Sequence, residues 1–342
     1  MTENTAIINT EAIAQDILDS IDREREREII SRRYGLFDRK ETLEQIGELL
    51  GITRERVRQL EKSVMTKLRQ TGTELPHISD IQSTILHSLG EAGETARITA
   101  LAEKLTAENT RTDQSRLAFL TELCPDVTVV SEDDTYFQAA GTGSIHNVVQ
   151  LKKEVGSVVD AIKKAGKPVE KKNLAKLAGF ESNDYAAALA SISKQLATLN
   201  GRWGLVRWPT VNPKNIRDKI YVILSEHKKH MHFNEIAEAI KASDFKRKDV
   251  TTQAIHNELI KDKRFVLIGR GLYALKEWGY QKGTVADIIS EVLREAKEPL
   301  HRDEIVQRVL KSRFVKETTI LLNLQSKPQF KRVAKATYEL SE

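Results

Sequence analysis

Apolar residues recur at three- and four-residue spacing along residues 43–68, in two runs separated by a short turn. Leu43, Ile46 and Leu49/Leu50 place one stripe on a first helix, and Thr42 with Gln45 gives the pattern of a capping box at its start. Gly51 ends that helix because glycine tolerates positive φ, Ile52 fills the corner, and Thr53 caps the next helix. This second helix begins at Arg54, with Val57, Leu60, Val64 and Leu68 facing inward. The spacing predicts a helix-turn-helix.

Further along, one pattern occurs four times: an amphipathic helix, a short second helix, a third helix, and two short strands rich in β-branched or aromatic residues. The strand pairs lie at 127–139 (VTVVSEDDTYFQA), 199–208 (LNGRWGLVRW), 265–275 (FVLIGRGLYAL) and 330–340 (FKRVAKATYEL). Each closes a block of roughly 65 to 70 residues, which predicts winged helices in tandem. Their aromatics (Tyr136, Phe137, Trp203, Trp208, Tyr273, Tyr338) are expected to pack on the helices of their own block. The fold class is therefore mainly α, tandem helix-turn-helix and winged-helix domains with small β-hairpin wings. Turn-forming stretches divide it into 1–77, 78–144, 145–213, 214–278 and 279–342.

On the second helix of the first domain, the inward positions force Arg54, Glu55, Arg58, Gln59 and Lys62 outward. Between 54 and 69 the net charge is +4, with Glu55 and Glu61 the only acids. Guanidinium forks match phosphate oxygens and the O6/N7 edge of guanine, Gln pairs bidentately with adenine, and Glu accepts from the cytosine amino group. The competing reading is an ordinary solvated helix face. The helix-turn-helix frame around these charges argues for a face that enters a DNA major groove.

The strings REREIISRRYGL and TLEQIGELLGITRERVRQLEKSVMTKLR resemble region 4 of the primary bacterial sigma-70 family, over about residues 20–70. The resemblance implies that Arg54, Glu55, Arg58 and Gln59 read a −35 promoter hexamer in double-stranded DNA, with Arg56 close to the backbone. It also implies that Arg25, Arg33, Thr42 and Leu43 contact flanking phosphates, and Lys62 joins that phosphate set. A further implied partner is the RNA polymerase core, whose β flap such modules meet through their apolar surface and the end of the recognition helix. Ser63 and Thr66 are neutral where activator-contacting sigma factors carry basic residues, which argues against contact with upstream activators. No aromatic-rich promoter-melting segment flanks the match, so the chain is expected not to melt promoters by itself.

A second resemblance covers 216–277, where IRDKIYVILSEHKKHMHFNEIAEAIKA and VTTQAIHNELIKDKRFVLIGRGLYAL are similar to the HARE helix-turn-helix family. That family includes the amino-terminal domain of the RNA polymerase delta subunit. Residues 284–340 look like a degenerate second copy. This resemblance implies a setting in transcription or DNA modification, with some members binding polymerase rather than DNA.

Charge separates the blocks: Lys+Arg minus Asp+Glu is −7 over 78–144 and +6 over 145–213, within a total of +5. Glu132, Asp133 and Asp134 at the first wing tip would repel phosphate and so suit a protein contact. Lys152, Lys153, Lys163, Lys164, Lys167, Lys171, Lys172 and Lys176 suggest a sequence-independent phosphate track, and Lys246-Arg247-Lys248 a second one. There is no eighteen-residue apolar run and no leader pattern, which points to a cytoplasmic chain with no membrane partner. The single cysteine, Cys124, reads as a small buried hydrophobe rather than a disulfide or zinc ligand. His230 and His232 read as turn and cap residues, so no metal is expected. No nucleophile elbow, Gly-rich phosphate loop or HExxH string is present, and GTGS at 141–144 is too short for one, so neither catalytic residues nor a cofactor is expected. No heptad seam appears, which suggests a monomer.

These observations describe a sequence-specific, sigma factor-like DNA-binding transcription factor that reads a −35-like element. An alternative is a delta-like or anti-sigma-like accessory protein that occupies the polymerase flap. A third is the accessory part of a DNA-modification system with a separate catalytic chain.

Overall fold

The computed structural model describes residues 7–245, 249–280 and 283–341, and the chain divides into two compact units, Met1–Arg207 and Trp208–Glu342. Lys246-Arg247-Lys248 lies outside the described residues. The first unit opens with α1 (Thr10–Asp19), α2 (Glu24–Tyr34), α3 (Leu43–Leu50) and α4 (Arg54–Gln70). The capping box of Thr42 and Gln45 is formed, Gly51 closes α3 at φ 65°, and the Thr53 hydroxyl accepts from the Arg56 N–H at the start of α4. One small core, Ile29, Ile46 and Val57 with Leu43, Leu50, Ile52 and Leu60, holds the helix-turn-helix together. Leu49 departs from the expected stripe, being 54% exposed.

The turn is tight enough to specify a glycine inside α3. A Cβ added at Gly47 would lie 2.7 Å from the carbonyl oxygen of Ile52, a backbone atom that cannot swing away. Gly47→Ala is therefore expected to cost about 1–3 kcal/mol, the usual range for forcing an extra methyl into a packed site. Urea unfolding followed by circular dichroism checks this, and a neutral or stabilising alanine would contradict the close approach.

The second block contains α5 (Ile78–Ala92), β1 (Thr95–Arg97), α6 (Ile98–Leu105), α7 (Arg111–Leu123), β2 (Val127–Val130) and β3 (Ala139–Thr142). The third contains α8 (Val148–Ala165), β4 (Val169–Glu170), α9 (Leu174–Ala178), α10 (Asn183–Ile192), β5 (Leu196–Leu199) and β6 (Arg202–Leu205). In the second unit, α11 (Ile216–His227), β7 (Met231–His232), α12 (Phe233–Ala242), α13 (Thr252–Lys261), β8 (Phe265–Gly269) and β9 (Leu272–Leu275) form one block. The other is α14 (Val285–Ala296), β10 (Leu300–His301), α15 (Arg302–Ser312), α16 (Glu317–Ser326), β11 (Phe330–Ala334) and β12 (Thr337–Leu340). The chain is thus mainly α, with small antiparallel sheets.

Each wing is part of a three-stranded sheet rather than a bare hairpin, because a strand of two or three residues between the first two helices pairs with the last strand of its block. Strands that short carry no readable alternation. The 199–208 wing also shifts: its strands are Leu196–Leu199 and Arg202–Leu205, turning through Asn200 and Gly201 at positive φ.

Third helices fall into two kinds. α7 buries Arg116, Leu117, Ala118, Phe119, Leu120, Thr121 and Leu123, and α10 buries all of Ala186–Ala190 and Ile192, so both are enclosed on nearly every side. α13 buries Ile255 and Leu259, and α16 buries Ile320 and Leu324, one face each. The enclosed helices join blocks. Phe119 packs edge-on against Tyr34 at 5.1 Å, Tyr34 and Arg69 both donate to the Glu122 carboxylate, and Arg116 donates to the Leu36 carbonyl. One continuous core consequently runs from Ile17 through Val64, Met65 and Leu68 to Leu117, Leu120 and Ala140.

α10 seals the second joint. A Cβ at Gly93 would lie 2.7 Å from the backbone of Asp184, Arg97 donates to the Ser191 carbonyl, and Phe137 N–H donates to Ile192. Trp203, Tyr273 and Tyr338 are buried, but Tyr136 and Phe137 sit at this joint: Tyr136 bridges to Ser193 and donates to the Lys152 carbonyl, and the Phe137 ring lies between Arg97 of its own block (3.8 Å) and Lys194 of the next (5.5 Å).

Candidate nucleic-acid interface

Once Val57, Val64, Met65 and Leu68 are committed inward, helical geometry leaves Arg54, Glu55, Arg58, Gln59 and Lys62 on the open side of α4. Their side chains form a connected set. Arg58 donates from Nε and Nη2 to both oxygens of Glu55 (2.8 and 2.6 Å), and Gln59 donates to the same carboxylate (3.3 Å). Arg56 donates to the Gln59 amide oxygen (3.4 Å), and Arg54 meets Glu44 of α3 at 2.7 Å. The Arg58 hydrogen bond, then that of Gln59 and the charges of Arg58 and Arg54, hold the Glu55 carboxyl down at about 2, so it is ionised throughout the physiological range. A bidentate carboxylate fixes the plane of a guanidinium, so Glu55 holds Arg58 in one orientation on the open face of α4.

The residues expected from the sequence to meet phosphates are spread more widely. Arg56 and Lys62 are exposed beside Arg54, Glu55, Arg58 and Gln59, and Thr42 with Leu43 marks the amino terminus of α3, where unsatisfied N–H groups favour an anion. Arg25 and Arg33 have intramolecular tasks: Arg25 donates to the Leu50 carbonyl at the end of α3 (2.6 Å), and Arg33 pairs with Glu61 (3.3 Å), tying α2 to α4. Arg39 and Lys40, which sequence patterning does not single out, are exposed in the loop leading to that helix start. Their signal in the sequence was adjacency to the Thr42 cap.

Elsewhere the charge clusters are partly consumed. Glu132 pairs with Lys194 (2.7 Å) and Asp133 with Lys152 (3.2 Å), so the acidic wing tip spends these charges inside the chain. Lys171 and Lys172 pair with Asp184 and Glu170. His232 caps α12, accepting from the Asn234 N–H. Cys124 is buried, and that burial pushes its thiol up to about 12. No helix among the described residues is long and apolar enough to cross a membrane.

A short capped helix, a three-residue turn and a longer helix with an open, mainly basic face define a helix-turn-helix of the DNA-binding transcription class. Residues 23–70 match the family described as Sigma-70, region 4. Over 56 residues the chain is 46% identical to the RNA polymerase sigma factor SigA of Bacillus sp, covering 16% of this chain and 15% of that protein. It is 48% identical over 56 residues to SigA of Nostoc sp. (16% and 14%), and 46% identical over 56 residues to SigA of Microcystis aeruginosa (16% and 13%). The matches thus span about one seventh of the Bacillus and Nostoc relatives and slightly less of the third, and the family match ends at residue 70, where α4 ends. It supports a sigma factor-like DNA-binding role for this module.

Proposed function

We propose that this chain is a sequence-specific DNA-binding transcription factor whose first module reads a −35-like promoter element. Arg54, Glu55, Arg58 and Gln59 face base edges, and Arg56, Lys62, Thr42, Leu43, Arg25 and Arg33 face phosphates. The observation that carries the reading is the open face of α4: its first two turns present the connected Arg54–Glu55–Arg58–Gln59 set to solvent, while Val64, Met65 and Leu68 on the opposite side of its last turns are buried in the chain's own core. DNA and RNA polymerase are the partner kinds of region 4 modules, but the polymerase-docking alternative has the weaker support. Such modules meet the flap through their apolar surface and the end of the recognition helix, and the apolar residues at that end, Val64, Met65 and Leu68, are here each at most 6% exposed in a core shared with α7.

Fluorescence anisotropy of the full chain on a labelled −35-consensus duplex and on a scrambled one, at two salt concentrations, tests the reading. Preference for the consensus at both salts is expected. Equal affinity for the two duplexes would overturn it.

A further inference from the structure

The two blocks of the second unit are copies in backbone conformation. Lys228 and Lys297 close their first helices in the left-handed region, and His232 and His301 cap their second helices through a ring nitrogen. Both wings carry a register shift just before the tip, between Leu267 and Gly269 and between Arg332 and Ala334. Past each tip, Gly271 and Ala336 have positive φ, and each carbonyl accepts from the first residue of the second helix: Phe233 N–H to Gly271 (3.1 Å) and Arg302 N–H to Ala336 (2.8 Å).

Wing tip and second-helix start therefore form one end of each block, where three positions correspond: Phe233 with Arg302, Leu267 with Arg332, and Arg270 with Lys335. The fourth block has two apolar residues and one cation there, and Leu267 is 45% exposed. The fifth has three exposed cations. Arg332 donates to the Ala334 carbonyl (3.1 Å), which keeps its guanidinium beside the tip. The acids at this end are Asp303, which accepts from Arg302 and lies 3.3 Å from His301, Glu304, which pairs with Arg308 one turn further along α15, and Glu339, 3.8 Å from Lys331. Among the described residues no carboxylate is within ion-pair distance of Arg332 or Lys335.

We propose that this end of the last block binds the phosphate backbone of duplex nucleic acid through Arg302, Arg332 and Lys335, and that the matching end of the fourth block does not. A single small anion needs donors converging in a concave nest. Three cations spread over a projecting ribbon and a neighbouring helix start instead fit an extended polyanion, whose bound counterions they release. The inference rests on the reading that the chain binds DNA, and it adds a second, sequence-independent contact.

The test is salt-dependent anisotropy of the full-length Arg332→Ala/Lys335→Ala chain on the matched and the scrambled duplex. Each lost phosphate contact should flatten the slope of log K against log salt by about 0.9, so a decrease of about 1–2 is expected on both duplexes. The matched-to-scrambled ratio should stay unchanged, and Arg332→Lys/Lys335→Arg should restore the parental slope. A parental slope in the double alanine variant overturns the proposal, as does an equal flattening by Arg270→Ala. Should the double variant melt early, Lys335→Gln at the exposed tip gives the same reading alone. A parent chain without duplex preference but with the expected slope change would sink base reading by the first module and leave this contact standing.

Discussion

Phe119→Ala is expected to cost about 3–5 kcal/mol, the range for emptying a fully enclosed aromatic site. Phe119 is 0% exposed, lies edge-on to Tyr34 of α2, and belongs to the core that also contains Val64, Met65 and Leu68 of α4. The loss should therefore reach the DNA-binding face, although that face lies in another block. Chemical denaturation with circular dichroism measures the stability, and anisotropy on the consensus duplex measures the consequence. A variant that melts only its own block, with undiminished duplex binding, would show that the shared core does not couple the two.

The second large effect concerns specificity. Arg58→Ala removes the guanidinium that Glu55 holds bidentately, and one good base contact is worth about 1–3 kcal/mol of discrimination, or roughly 5- to 150-fold between matched and scrambled duplexes. Gln59→Ala should act in the same direction. The discrimination of the parent chain should be flat from about pH 5 to pH 8, because Glu55, held at about 2 chiefly by Arg58, gains no proton in that window. A depressed carboxyl loses its charged contacts only as the pH falls toward that low value, well below the range tested. An equal loss of affinity on every sequence from Arg58→Ala would reduce Arg58 to a phosphate contact.

Much of the first module was legible in residue order alone. Thr42, Gln45, Gly51 and Thr53 are local devices, each acting through a backbone group within a few residues, so their pattern in the chain is their structure. The outward placement of Arg54, Glu55, Arg58 and Gln59 came from helical periodicity. Their mutual hydrogen bonds did not, because rotamers of long side chains are settled by contacts rather than by spacing. Arg25 and Arg33 show the same limit: both were legible as basic residues, but their tethers to Leu50 and Glu61 depend on how α2 crosses the helix-turn-helix.

The acidic tip of the first wing shows the same for charge. From the sequence, Glu132 and Asp133 are an unbalanced cluster, and in the folded chain Lys194 and Lys152, some 62 and 19 residues away, neutralise them. α7 and α10 show it for packing. Their sequences are those of ordinary amphipathic or alanine-rich helices, and nothing local marks which second face will be covered.

The sequence by itself determined the helix-turn-helix with its caps, the mainly α class with small antiparallel strands, and the identity of the outward-facing residues on α4, because each rests on periodicity or on hydrogen bonds across one turn. Only the tertiary structure decided that the apolar side of the end of α4 shares a core with α7, that the first wing belongs to the joint with the third block, and that cations gather at one end of the last block but not of its copy. Those outcomes depend on contacts between residues tens of positions apart, which local pattern does not encode.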